Sequence, residues 1–105
     1  MVSKDEFHLS ETAPSWVKPL SERDYKGGEG DIKAEVGVHQ VAENGNGYWK
    51  SFQLIDMGDH DTIRTAYYTE TGGYQNKPLM LPPSVMTDLV QFADGKVWQG
   101  SIPVL

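Results

Sequence analysis

The 105-residue chain contains no cysteine, which excludes disulfides, thiolate nucleophiles and cysteine-ligated zinc. It also lacks any apolar run near the roughly 20 residues that a membrane-spanning helix needs, and its start lacks the apolar stretch of a secretion signal. Stability must therefore come from packing in one small core. We expect a soluble, cytoplasmic protein that does not contact a membrane.

Signals for catalysis are also scarce. The chain has three histidines, and none of them lies in a recognisable nucleophile elbow. No glycine-rich phosphate loop precedes a helix, because the glycines at 27, 28 and 30 lead into a strand pattern. We therefore predict a protein that is not an enzyme and needs no cofactor.

One short segment holds several potential metal ligands. DMGDHDT (56–62) carries three aspartates and a histidine within a single turn. Neighbouring side chains in a turn point in different directions, and the spacing does not match a calcium loop. A solvated turn is therefore expected here, and no metal site.

Basic residues are few, with 9 Lys and Arg against 15 Asp and Glu and a net charge of −6. This balance argues against nucleic-acid binding, since such proteins usually carry a basic surface. Most of the acids fall in predicted turns or at the ends of elements, whereas Lys50, Arg64 and Lys77 fall in or beside strands. A locally positive face on an acidic protein is therefore expected.

Residues 1–30 contain two prolines, a glycine cluster, ten charged residues and no clean periodicity. This composition predicts a mobile N-terminal arm. The segment also holds apolar residues that could instead dock on the domain or on a partner as an extended strand. These are Phe7, Leu9, Trp16, Val17 and Leu20.

Residues 31–105 are expected to form a single domain with a short C-terminal extension. Strict alternation from Ile32 to His39 predicts a half-buried strand, and the ENGNG turn (43–47) predicts a hairpin to a second strand over 48–57. The segment 62–70 is rich in β-branched and aromatic residues and predicts a third strand. A short fourth strand is expected at LML (79–81).

The two prolines at 82 and 83 end that strand, and Ser84 stands where a helix N-cap belongs. A helix is predicted over SVMTDLVQFA (84–93), with Gly95 just past its end. The predicted fold is therefore α+β, a four-stranded antiparallel meander followed by one C-terminal helix, in the order β-β-β-β-α.

The apolar arc of this helix spans about 160°, wider than the roughly 100° needed to pack on one sheet. The surplus predicts a homodimer with Met86, Val90 and Ala93 in the interface. Alternatively, the tail KVWQGSIPVL (96–105) covers the same apolar edge.

Aromatic and cationic residues recur on the predicted sheet. With Phe52 and Leu54 inside and a small bulge after Trp49, that ring and the side chains of Arg64 and Tyr68 are expected to face solvent. Exposed aromatics beside cations form a platform on which nucleobases can stack. The predicted contacts are Trp49, Lys50, Arg64, Tyr68 and Lys77. Alternatively, these residues are ordinary members of the sheet and core.

This order of elements, with NGNGYWK (44–50), IRT (63–65) and KPLML (77–81), resembles the single-stranded-DNA-binding family of transcriptional positive cofactor four and its short bacterial and phage relatives. The resemblance covers about residues 35–93. It implies a curved four-stranded sheet, dimerisation through the C-terminal helix, and single strands lying along the sheet with their bases on aromatics. By position, it implies base or phosphate contacts for the five residues predicted above.

Three functions follow as hypotheses. The first is a small non-enzymatic protein that binds single-stranded nucleic acid, DNA above all, as a homodimer. The second is an acidic protein-interaction module, such as a phage-type inhibitor or accessory factor, that binds a basic protein partner. The third is a component of a larger assembly that adds its strands to neighbouring sheets.

Overall fold

A computed structural model describes residues 5–20, residue 23 and residues 30–99. These residues form an α+β fold, as the sequence predicts, with one antiparallel sheet of five strands in chain order and a C-terminal helix. The elements are β1 (Glu6–Ser10), β2 (Asp31–Val41), β3 (Gly47–Asp56), β4 (Asp61–Thr69), β5 (Gly73–Gln75) and α1 (Pro83–Ala93). Over the described ranges, no helix has the length and apolar character needed to cross a bilayer.

The first strand lies in the segment that was expected to be a mobile arm. Residues Glu6–Ser10 pair with β2 in an unbroken antiparallel register, from Glu6 opposite Val41 to Ser10 opposite Gly37. The predicted arm is therefore wrong for Glu6–Ser10, where the alternative of a docked extended strand is found, and Trp16 and Val17 pack against the domain outside any strand. Except for Arg23 and Gly30, residues 1–4 and 21–30 lie outside the described part of the chain.

The central meander follows the sequence pattern closely. Strand β2 pairs with β3 and β3 pairs with β4, each through a tight turn, and Gly45 supplies the positive φ of 90° that the first turn requires. The register of β2 shifts once, between Ile32 and Ala34, which marks a bulge at Lys33. No shift occurs at Trp49, where a bulge was expected.

The last strand differs from the prediction. Gly73–Gln75 forms β5 and pairs with the end of β4, whereas residues 79–81 are not a strand. The prolines at 78, 82 and 83 explain this, because a residue without an N–H interrupts a ladder on either side of a short run.

The helix begins one residue earlier than predicted. Pro83 occupies its first turn and Pro82 is the N-cap residue, so Ser84 lies within the helix and makes no capping hydrogen bond. The predicted end is confirmed, because α1 stops at Ala93 and Gly95 follows with φ of 84°.

Apolar residues are buried on both faces of the sheet. On one face, which we call the helix face, α1 and the residues after it pack over β1 and β2. That core contains Val36, Val38, Phe52, Leu89, Ala93 and Val97. On the opposite face, which we call the N-terminal face, Val17, Trp49, Ala66 and Tyr68 form a second cluster. The sheet is therefore covered on two sides and not on one.

Candidate functional site

The N-terminal face is covered by residues that precede β2. Trp16 packs edge-on against the ring of His39, with 6.1 Å between ring centroids, and Val17 is 8% exposed. Both residues join the cluster around Trp49, which has no exposed surface. The expectation that Trp49 offers its ring to solvent is therefore wrong.

Gly37 makes this close packing possible. A Cβ at this position would lie 2.8 Å from the Cζ2 atom of Trp49 and 2.7 Å from the backbone oxygen of Lys50. Neither atom could move without shifting the core. Because Gly37 has no side chain, the indole of Trp49 can lie directly against β2.

A buried carboxylate lies at the centre of the same face. Glu35 on β2 has a side chain only 2% exposed, and it accepts two hydrogen bonds from Arg23, at 3.0 and 2.6 Å. The hydroxyl of Ser51 and the amide of Gln53 each donate a further hydrogen bond to it at 2.8 Å. Burial of a charge is tolerated where such donors replace water.

Burial alone would raise the pKa of Glu35, but the hydrogen bonds from Arg23, Gln53 and Ser51 and the charge of Arg23 outweigh it. The pKa of Glu35 is therefore lowered. Burial alone would lower the pKa of Arg23, but the hydrogen bonds and the negative charge of Glu35 outweigh it, so the pKa of Arg23 is raised. At neutral pH both groups are charged, so this is an internal ion pair and not a proton donor or acceptor.

The network continues along the same face of the sheet to β4 and β5. Gln53 also donates to the hydroxyl of Tyr68 at 3.0 Å, and its carbonyl accepts two hydrogen bonds from Arg64, at 3.0 and 2.6 Å. Arg64 lies over the ring of Tyr74, and Arg23 over that of Tyr68. Tyr68 is 8% exposed, so the expectation that its ring faces solvent is also wrong.

Lys50 lies on the other side of the sheet. Regular alternation through Trp49 directs it to the helix face, where it is 7% exposed and donates to the backbone oxygen of Met80 at 2.8 Å. Its ammonium is 5.9 Å from the ring of Tyr48 and 5.3 Å from that of Tyr67. Burial lowers the pKa of Lys50, and the charge of Asp5 partly offsets this.

The five predicted nucleic-acid contacts are therefore not brought together. Trp49, Arg64 and Tyr68 share the N-terminal face, Lys50 lies on the helix face, and Lys77 is exposed in the loop after β5. Two rings are buried and two cations have internal partners, so a flat stacking platform is not present on this surface.

The residues that sequence reasoning missed are Glu35 and Arg23. Glu35 lies at one of the polar positions of the alternating pattern in β2. The sequence therefore predicts a solvent-exposed side chain there and gives no sign that it is buried. A partial signal exists in β3, where Ser51 and Gln53 occupy the same phase on the neighbouring strand. Nothing local identifies Arg23 as the partner.

The predicted dimer interface needs one correction. Ala93 is fully buried in the core between α1 and the sheet, so its side chain is not available to a second copy of the chain. Met86 and Val90 are half-buried and pack against the same core. The tail supplies part of the cover, as the alternative predicted: Val97 is 2% exposed and Trp98 packs edge-on against Phe52. A homodimer stays a prediction.

The turn between β3 and β4 carries the aspartates that were considered as metal ligands. Asp56 accepts from the backbone of Gly58, Asp59 contacts His60, and Asp61 pairs with Lys33 at 3.1 Å. No group of three or more potential ligands converges anywhere in the described residues.

The exposed charges are predominantly acidic. Among the residues that the structure describes, the exposed cations are four lysines: Lys18, Lys33, Lys77 and Lys96. Nine acidic residues are exposed: Glu6, Glu11, Asp31, Glu43, Asp59, Asp61, Glu70, Asp88 and Asp94. Lys50 and Arg23 have internal partners, and Lys33 is the only exposed cation among the described strand residues, so the described strands present no cluster of exposed cations.

No family model matches the chain, and neither a curated protein nor a solved structure matches it. The resemblance to the transcriptional positive cofactor four family therefore stays a prediction, and the function must be argued from the geometry above.

Proposed function

We propose that this protein is an acidic protein-interaction module that binds a protein partner with a basic surface. The observation that carries the proposal is the separation of charges. Lys50 and Arg64 on the sheet, and Arg23 beside it, have internal partners, and among the described strand residues only Lys33 is an exposed cation. Nine of the carboxylates on described residues remain exposed.

Electrostatics supports this choice over nucleic acid. A protein with an acidic surface attracts a cationic partner over distances of about a Debye length, roughly 8–10 Å at ordinary ionic strength, and repels phosphates over the same range. Single-stranded nucleic acid stays a prediction from the sequence, and of its five predicted contacts only Lys77 is an exposed residue.

The burial of the two aromatic rings predicted to stack on bases supports the same choice. A stacking platform needs exposed rings, and such rings contribute roughly 1–3 kcal/mol per base. Trp49 and Tyr68 instead contribute to the core of this domain. Among the described residues, exposed surface remains at the sheet edges, in the turns and on the helix-face side of β4 at Ile63 and Thr65. It also remains at scattered apolar side chains such as Met80, which is 71% exposed.

The test is an affinity purification with the full chain as bait, from a lysate of the organism that encodes it. The lysate is divided, and one half is treated with nuclease. We expect a basic protein to be retained in both halves and to elute as the salt concentration rises. Loss of every partner after nuclease treatment would favour nucleic acid and overturn the proposal.

Recovery must be followed by a measurement on purified components, because a lysate also yields indirect contacts. The recovered protein is titrated with this chain at low and moderate salt by calorimetry. Direct binding that weakens with salt supports the proposal. Binding that is absent, or that strengthens with salt, contradicts it.

A further inference from the structure

Strand β1 is the outermost strand on one side of the sheet. Its five residues pair with β2 on their inner side, and no described strand pairs with their outer side. Alternate residues of an antiparallel edge strand direct their N–H and C=O groups away from the neighbouring strand. Such a row of groups is a template for a further strand.

Within the described residues, this edge lacks several of the usual protections against strand addition. Glu6–Ser10 contains no proline, no lysine and no arginine, and its register has no bulge. The opposite edge of the sheet differs. β5 has only three residues, begins at Gly73 with φ of 68°, and is followed closely by Pro78. Of the two sheet edges, β1 is the one suited to pairing.

The side chains of β1 define the kind of strand that fits. Leu9 pairs with Val38 and so lies on the helix face, where it remains 40% exposed, and Phe7 packs beside it against the helix-face core. Glu6 and His8 lie on the opposite face and are exposed. An added strand would therefore meet apolar side chains on one face and polar ones on the other.

The charge around this edge has one sign. Residues 5–17 include Asp5, Glu6 and Glu11 and contain no lysine or arginine. An added strand with cations on the same face as Glu6 would gain favourable cross-strand charge pairing. A second copy of this chain is disfavoured, since pairing β1 with itself brings two acidic edges together.

We propose that the outer edge of β1 binds an extended segment of a protein partner in which lysine or arginine alternates with apolar residues. The proposal rests on the proposed function, because it names the edge and the partner chemistry of that same interaction. The backbone of the partner supplies hydrogen bonds, its apolar residues cover Leu9 and Phe7, and its cations face Glu6.

The test uses three nine-residue peptides with blocked termini. One alternates lysine with valine, the second alternates glutamate with valine, and the third is the lysine peptide with a proline at its centre. We expect the first to bind at least tenfold more tightly than either of the others, by calorimetry with the full chain. Hydrogen exchange should slow at the outward amides of β1.

A double variant with a matched control separates edge binding from general attraction. E6K/L9K places two lysines on the outer strand at exposed positions, and D88K/T71K makes the same change of net charge at exposed positions elsewhere. We expect E6K/L9K to weaken the lysine peptide at least tenfold and D88K/T71K less than threefold. Thermal melting of each variant verifies the fold.

Each other outcome overturns the inference. If both double variants weaken binding of the lysine peptide equally, the peptide is held by general electrostatic attraction and not by the edge of β1. Protection of amides outside β1 would place the peptide elsewhere, and self-association that E6K/L9K abolishes would assign the edge to a second copy. If the basic protein recovered from lysate still binds E6K/L9K with unchanged affinity, this inference fails while the proposed function stands. If no basic protein is recovered, the proposed function itself fails.

Discussion

Arg23 donates two hydrogen bonds to the carboxylate of Glu35, at 3.0 and 2.6 Å, and so ties a residue outside the sheet to the middle of β2. The guanidinium of Arg23 lies over the ring of Tyr68, and the carboxylate of Glu35 accepts a hydrogen bond from Gln53. It therefore fixes residue 23 over the face of the sheet on which the sequence predicted a binding platform.

Replacing Glu35 by glutamine should destabilise the protein by about 3 kcal/mol at pH 7, because the guanidinium of Arg23 is then buried without its counter-charge. Chemical denaturation of both proteins measures this difference. Glu11→Gln, at an exposed position, is the control and should change the free energy of unfolding by less than about 0.5 kcal/mol.

The same variant makes a prediction for pH. The folded-state pKa of Glu35 is lowered, so its contribution is present above the unfolded value of about 4.3 and is lost as pH falls through the folded value. The difference between the wild type and Glu35→Gln should therefore shrink on acidification below about pH 4.3. A difference that stays constant from pH 7 to strongly acidic conditions would contradict it.

Titration with oligothymidine at low salt should leave the contribution of Trp49 to the emission unchanged, because Trp49 has no exposed surface and cannot stack on a base. Fluorescence during the titration, with Trp49→Phe as the comparison, measures this. Quenching that disappears in Trp49→Phe would show that the ring is reachable, and would restore nucleic acid as the leading hypothesis.

Leu89→Ala should destabilise the protein by about 2–5 kcal/mol, because this side chain is fully buried between α1 and the sheet. Gln91→Ala, at an exposed position on the same helix, should change stability by less than about 0.5 kcal/mol. Thermal or chemical unfolding compares the two variants. Similar effects would mean that α1 does not pack through Leu89.

Lys50→Met tests the buried ammonium. The folded-state pKa of Lys50 is lowered, so the unfolded chain binds more protons in the window between that value and the unfolded value of about 10.4. The stability of the wild type relative to Lys50→Met should therefore rise as pH increases through this window. Denaturation at neutral and alkaline pH measures it, and a falling relative stability would be the contrary result.

Much of the fold could be predicted from local pattern. The alternation around Val36, the glycine-rich turn at Gly45 and the aromatic run of β4 each depend on neighbours in sequence, and the three central strands appear where those signals lie. The end of α1 at Ala93, signalled by Gly95 two residues later, is local in the same sense. The fourth predicted strand failed because the prolines around residues 79–81 outweighed a short apolar run.

The candidate site could not be predicted in this way. Alternation separates the two faces of a strand, but it does not say whether the polar phase meets water or another segment of the chain. Trp49 and Tyr68 were assigned to the correct face, opposite Phe52, and to the wrong environment. What covers them is a tryptophan and a valine more than 30 residues earlier in the sequence.

The sequence by itself determined the order of β2, β3, β4 and α1, the turns between the strands, and the acidic balance of the chain, because each of these depends on composition or on residues close together in the chain. Tertiary structure alone decided that both faces of the sheet are covered, that β1 forms its outer edge, and that Glu35 and Lys50 are buried with partners. The physical reason is that these features depend on contacts between distant segments, whose free energy depends on shape and hydrogen-bond geometry that no local pattern encodes.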